Sequence, residues 1–187
     1  MFYQSHNQLI TTLLTGQEMK SFFSFLMCLF ILTACGAATK EQEMSGLSVD
    51  KIVLEKSKRQ LHLLSNGKTI KTYKVSLGKN PVGHKTREGD GKTPEGTYYI
   101  DRRNAKSAYH LSLHISYPSA EEIKQAQMAG VSPGGDIMIH GLPNGFGFLA
   151  PFHHLKDWTQ GCIAVTNKEI EEIWNNVSVG TVIVIKP

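Results

Sequence analysis

The chain has 187 residues, 41% of them hydrophobic and 19% charged. That is enough apolar content for one packed domain plus a tail, and too much for wholesale disorder. The formal net charge of +4 is spread along the chain; its densest basic stretch, KSKR at 56–59, lies inside a strand-like pattern, so no nucleic-acid arm and no nucleic-acid partner are expected. The balance fits weak attraction to an anionic polymer or membrane surface and decides nothing more.

Residues 19–36, MKSFFSFLMCLFILTACG, place one cation (Lys20) before an apolar run at 22–32 and then small residues. The run is shorter than the ~20 residues a spanning helix needs, and with these flanks it reads as an export signal. LTAC, ending at Cys35, is similar to a bacterial lipobox, in which cleavage leaves the cysteine as an acylated N-terminus; the plainer reading is an ordinary signal that happens to contain Cys35. Residues 1–18 carry no Lys or Arg, and a signal starting at Met19 is more regular. The expected organisation is a signal at 1–34, a lipidated polar tether at 35–48 and a folded domain at 49–187. If Cys28 leaves with the signal and Cys35 carries lipid, Cys162 is alone in the domain. There it is a liability in an oxidising compartment unless it is buried or does chemistry.

Within the domain, residues 50–78 hold two alternating runs around SNGK, and Asn66-Gly67 marks a two-residue hairpin turn. Residues 79–100 are rich in Gly and Pro, read as a surface loop, and end in a strand at 97–100. HLSLHI (110–115) alternates as a strand. Residues 119–130 form a short helix, with Ser119 and Glu122 as a capping box and Gly130 at its end. DIMIH (136–140) is an apolar strand ending on His140. Residues 166–177 form a second helix, with Thr166 and Glu169 as its capping box and Ile170, Ile173, Trp174 and Val177 as its apolar face. A closing strand lies in 180–187. Strands dominate, so the expected fold is a β-rich α+β domain, sandwich-like or barrel-like, with two short helices.

The stretch DWTQGCIAVTN (157–167) contains the lone thiol. Free cysteines are often simply buried packing groups. A catalytic thiol needs a base, an orienter for that base and donors for an oxyanion. Gly161 leaves the backbone bare beside Cys162, so a substrate could approach. His140 is a candidate base, and the Gly141 carbonyl could accept from its other ring nitrogen. His153 and His154 lie between His140 and Cys162; they are read either as substrate contacts in a lid or as ordinary loop residues. Together with His140 and Cys162 they lack the usual zinc-ligand spacing, so no metal is expected.

IHG at 139–141 followed by TQGCIAVTN resembles the signature of the L,D-transpeptidases, the YkuD-type catalytic domain. VSLGKNPVGHKTREGDGKTPEGTYYI, YHLSLHISYP and PGGDIMIHG are similar to further blocks of that family, so the resemblance covers about residues 50–186. It implies a YkuD-like fold, Cys162 as nucleophile, His140 as base and Gly141 as the orienter of His140. Gly161, Thr159, Gln160, His153 and His154 are carried as substrate-side candidates, with Thr159 read either as hydrogen-bonding within the turn or as shaping it. The resemblance also implies peptidoglycan stem peptides as partners, with no metal and no organic cofactor. Three departures stand out, the first being the gap of 18 residues between His140 and Thr159, at or just beyond the family's usual range. Gln160 replaces the family's usual histidine, and Ala164 replaces an arginine found in many members. Three readings follow: a cysteine-dependent transpeptidase, a thiol hydrolase of the same fold (a carboxypeptidase, or an amidase releasing wall-bound protein), and a non-catalytic wall-binding lipoprotein. A monomer is expected, anchored through Cys35 and facing the periplasm from the outer membrane.

Overall fold

The computed structural model of the chain describes residues 48–187; the signal segment, Cys35 and all of the tether but Ser48 lie outside the described residues. Eight strands form one sheet: β1 Lys51–Glu55, β2 Gln60–Ser65, β3 Lys68–Lys74, β4 Gly96–Ser107, β5 His110–Ile115, β6 Met138–His140, β7 Ile163–Ala164 and β8 Val182–Lys186. The order across the sheet is β3-β2-β1-β8-β4-β5-β6-β7. The pairs β1–β8 and β6–β7 are parallel, and the other neighbours are antiparallel.

The sheet curls until its two ends meet. Beyond β3, Ser76 N donates to Ala164 O at 3.0 Å and Ala164 N donates to Ser76 O at 2.8 Å, joining the first edge to β7. The alternation that predicted strands also predicts the core. Ile52 and Leu54, Leu61 and Leu63, Ile183 and Ile185 point inward at every second position, as a pleated strand requires. The expected β-rich, barrel-like domain is the one observed.

Helix α1 (Ala120–Met128) and helix α2 (Asn167–Asn176) begin at Ser119 and Thr166, and both capping boxes are complete. In α2, Ile170 and Ile173 are fully buried, with Trp174 partly buried against the same core. Thr166 Oγ1 accepts from Glu169 N at 3.3 Å, and Glu169 Oε2 accepts from Thr166 N at 2.8 Å. Thr166→Ala removes the first of these and is expected to cost about 1 kcal/mol, read as a lowered midpoint in thermal denaturation. An unchanged midpoint would mean the cap contributes nothing here. The hairpin also forms as expected, with Asn66 at φ 50° and Gly67 at φ 74°.

Three segments depart from the sequence reading. KSKR is not strand: Lys56–Lys58 is a 3-10 turn, closed by Arg59 at φ 52°. The cause is Lys56, 2% exposed, whose Nζ turns inward to donate to Gly83 O at 2.7 Å and to Thr93 O and Glu95 Oε1, both at 2.8 Å. Strand β4 runs seven residues past Ile100. Its second half pairs with β5 while most of its side chains stay exposed, so backbone pairing extends it without an apolar pattern. The stretch around His153 and His154 is not plain loop but 3-10 helix over Gly147–Leu155. Among the described residues no helix is long and apolar enough to cross a membrane.

Candidate active site

Strand β6 ends on His140, and β7 begins directly after Cys162. In the parallel β6–β7 ladder Ile139 is opposite Ile163 and His140 is opposite Ala164. Paired residues project to the same face and alternate residues share it, so His140, Ala164 and Cys162 are brought to one side of the sheet.

His140 is 4% exposed, and its Nδ1 lies 2.7 Å from Gly141 O. A carbonyl can only accept, so Nδ1 carries the proton and the neutral ring keeps Nε2 as an acceptor. Burial lowers the histidine's pKa, and the Gly141 hydrogen bond opposes that only in part. The ring is framed by Tyr109, centroid 4.6 Å away, and by Trp158 at 5.8 Å. Gly141 is fixed in turn: its N–H donates to Tyr109 O at 3.1 Å, and a Cβ there would stand 2.8 Å from Asn167 Oδ1. Asn167, which opens α2, accepts from Leu142 N at 2.8 Å and so ties the helix to the backbone after His140.

The Cys162 thiol donates to Asp136 O at 3.5 Å. Burial raises its pKa above the ordinary thiol range; a hydrogen bond from the Met138 backbone lowers it, the Asp136 carboxylate adds to the rise and the Lys85 ammonium opposes it. Burial thus disfavours the charged form of each group, the thiolate and the imidazolium.

The turn that presents the thiol is built by its own residues. Thr159 Oγ1 donates to Cys162 O at 2.8 Å and accepts from Gly161 N at 3.1 Å. Thr159 is 5% exposed, so its hydroxyl works inside the turn. Gly161 is buried as well and has φ 138°; a Cβ would stand 2.6 Å from Lys92 O. The 79–95 loop packs on Gly161, and that close approach leaves no room for a side chain. Asp157 anchors the start of the turn, accepting from Leu77 N at 2.9 Å and from Arg59 Nη2 at 2.8 Å.

Two grooves flank the centre. A polar one of about 490 Å³ is lined by Lys85, Glu88, Ser132, Asp136 and Gln160, among others. An apolar one of about 310 Å³ is lined by residues including Leu142, Phe146, Phe152, His153 and Trp158. Gln160 is thus exposed on the polar side. His153, 7% exposed, lies in the apolar one with its pKa lowered by burial, and His154 lines neither. Tyr109, Trp158, Lys85 and the Asp136 carbonyl were not singled out in the sequence. Their legible trace is their place in the stretches quoted above: Lys85 in VSLGKNPVGHKTREGDGKTPEGTYYI, Tyr109 in YHLSLHISYP, Asp136 in PGGDIMIHG and Trp158 in DWTQGC.

The family model described as the L,D-transpeptidase catalytic domain (YkuD) matches residues 50–185. YafK of Escherichia coli K12, whose name assigns it provisionally to the L,D-transpeptidases, is 31% identical over 112 residues, 58% of this chain and 37% of that protein. Among solved structures, the helical cell shape determining protein Pgp2 of Campylobacter jejuni superimposes with a TM-score of 0.57 at 25% identity, over 75% of this chain and 48% of that one. Bd1075 of Bdellovibrio bacteriovorus gives 0.54 at 25% identity, over 77% and 50%. The chain spans half or less of the length of each of these relatives.

Proposed function

The chain belongs to the L,D-transpeptidase catalytic-domain family, and on that premise we propose that it is a cysteine-dependent acyltransferase acting on peptidoglycan stem peptides. The observation that carries the reading is the buried His140, held by Gly141 O with Nε2 left as acceptor, on the same sheet face as Cys162. In the proposed first step Cys162 attacks the carbonyl at the L-centre of a diamino acid in a tetrapeptide stem. The thiol proton passes to His140, which returns it to the nitrogen of the departing D-alanine as the C–N bond breaks. A thioester remains. An amine from a second stem or from an anchored protein then attacks it, and sulfur regains its proton through His140. The oxyanion is held by backbone amides at Cys162 and its neighbours; the Gly161 amide is committed to Thr159 Oγ1.

A second reading keeps the thioester and lets water resolve it, giving a carboxypeptidase or an amidase. It is favoured by Gln160, which stands on the polar groove where family members usually have histidine. Pgp2 is named for helical cell shape, and a role in wall shaping is proposed for this chain on that likeness. Export, lipidation at Cys35 and residence at a membrane facing the periplasm belong to the same proposal, resting on the apolar run and the lipobox-like LTAC.

The deciding experiment is intact-mass spectrometry of the protein incubated with a carbapenem. The wild type is expected to gain one covalent adduct and Cys162→Ala none. A folded wild type that gains no adduct would overturn the acyltransferase reading in favour of a wall-binding module. Incubation with tetrapeptide-bearing wall fragments, followed by product mass, then separates the amine acceptor from water.

A further inference from the structure

The 79–95 loop reaches both walls of the thiol's cradle, yet supplies no group to the chemistry proposed above. On one wall the Lys92 carbonyl lies against Gly161, and the Gly91 carbonyl lies so close to Gly78 that a Cβ there would overlap it. Thr93 Oγ1 accepts from Gly78 N at 3.3 Å on the same side. On the other wall, Glu88 N donates to Ser132 O at 2.8 Å and Ser132 Oγ donates to Glu88 Oε2 at 2.9 Å. A Cβ on Gly134 would stand 3.2 Å from Glu88 Cα. That segment leads directly into Asp136, whose carbonyl accepts from Cys162 Sγ.

One side chain organises this loop. Asp90 Oδ1 accepts from Lys85 Nζ at 2.9 Å and from Lys92 N at 3.0 Å. Asp90 Oδ2 accepts from Thr86 N at 2.9 Å and from Arg87 N at 3.2 Å. The Lys85 and Asp90 side chains are 3% and 7% exposed. Only an ionised carboxylate accepts on both of its ends; an asparagine would turn a donor toward one pair of donors. Lys85 Nζ makes a second bond, to Arg87 O at 2.9 Å, so the ammonium is held within the loop and is not offered to a substrate.

We propose that Asp90, with Lys85 as its counter-ion, is a positioning residue for Cys162: it holds the loop that keeps the Gly161 turn and the Asp136 carbonyl at the separation in which the thiol sits between them. The proposal rests on the reading of Cys162 as nucleophile. It is tested with Asp90→Asn, Lys85→Met and Ser132→Ala, using Lys71→Met as control, since the Lys71–Glu172 pair lies on β3 and α2. Two rates are measured on folded protein: acylation by a carbapenem, and alkylation of Cys162 by iodoacetamide across pH.

Asp90→Asn and Lys85→Met are expected to slow acylation on the order of 10–100-fold, as a displaced reacting group does. The midpoint of the alkylation profile is expected to move down toward that of an ordinary thiol in Asp90→Asn, because a loosened cradle admits water to sulfur; in Lys85→Met the loss of an ammonium that lowers the thiol's pKa works against that movement and makes it smaller. Ser132→Ala should show both changes to a smaller extent, and Lys71→Met neither. A purely structural role for the pair predicts folded variants with an unmoved alkylation profile, and that result overturns the proposal whatever happens to acylation. If Asp90→Asn and Lys85→Met do not fold, Ser132→Ala decides by the same two readouts. If the wild type itself is not acylated, the functional reading fails, while the alkylation profiles still show whether Asp90 positions the thiol.

Discussion

Replacing His140 with alanine is expected to slow acylation of Cys162 by about 10²–10⁴-fold, the usual contribution of a positioned general base. The resting thiol is held protonated by burial, so without an acceptor at His140 Nε2 the proton must leave to water across a half-buried site. His140→Gln keeps a polar group of similar reach that cannot take the proton, and should fall nearly as far. The rate is read by mass spectrometry of the carbapenem adduct over time, with thermal denaturation confirming that each variant is folded. Acylation at the wild-type rate by either variant would remove His140 from the chemistry.

The same histidine sets a pH dependence whose sign follows from its surroundings. Burial depresses the His140 pKa, so the base stays unprotonated below pH ~6.5, where an ordinary histidine is half charged. The acid limb of the acylation rate should therefore lie below that value. Stability follows the same sense. The unfolded chain takes up protons at both His140 and His153 on descending through pH ~6.5, whereas the folded chain does so only at the depressed values. Stability is then full above pH ~6.5 and is lost as pH falls from there through the folded values. Urea titrations at a series of pH values check this, and a stability that rose on acidification would contradict it.

Gly161→Ala is expected to cost about 2–4 kcal/mol and to abolish acylation. Two penalties combine. A φ of 138° is open to glycine and strained for alanine, and the new methyl would stand 2.6 Å from Lys92 O and 3.1 Å from Ile137 Cδ1. The first of these is a backbone atom in the loop clamped by Asp90, so it cannot yield without shifting the cradle. Gly145→Ala separates the two penalties: φ there is 86° but no atom lies within 4 Å of the added carbon, so only the strain, about 1–2 kcal/mol, should appear. Equal melting temperatures for the two variants would show that the packing on Gly161 is not limiting.

Much of the scaffold was legible because its signals are local. The turn at Asn66-Gly67, the capping boxes at Ser119–Glu122 and Thr166–Glu169, and the alternation of β1, β2 and β8 each depend on residues a few positions apart. The misread segments are those where a distant partner overrode the local pattern. Lys56 lies in a run of cations that looks solvated, yet three acceptors from residues 83–95 draw it inside. The second half of β4 has a polar sequence, yet β5 offers it a ladder. The apolar groove over Gly147–Leu155 could not be seen at all, since it exists only where that segment faces Leu142 and Trp158.

By itself the sequence determined the kind of domain and the chemical alphabet of its centre: one thiol in the domain, a histidine followed by glycine, and a glycine before the thiol. Such identities are properties of single residues and their neighbours. Only the tertiary structure decided their relation. The parallel pairing of β6 with β7 brings His140 and Cys162, 22 positions apart, to one face of the sheet. Closure of the sheet through Ser76 and Ala164 lays the Gly78 backbone beside the same turn, where the 79–95 loop packs. The reason is that ladder pairing and buried ion pairs join residues by free energy gained at a distance along the chain, which no short window of sequence contains.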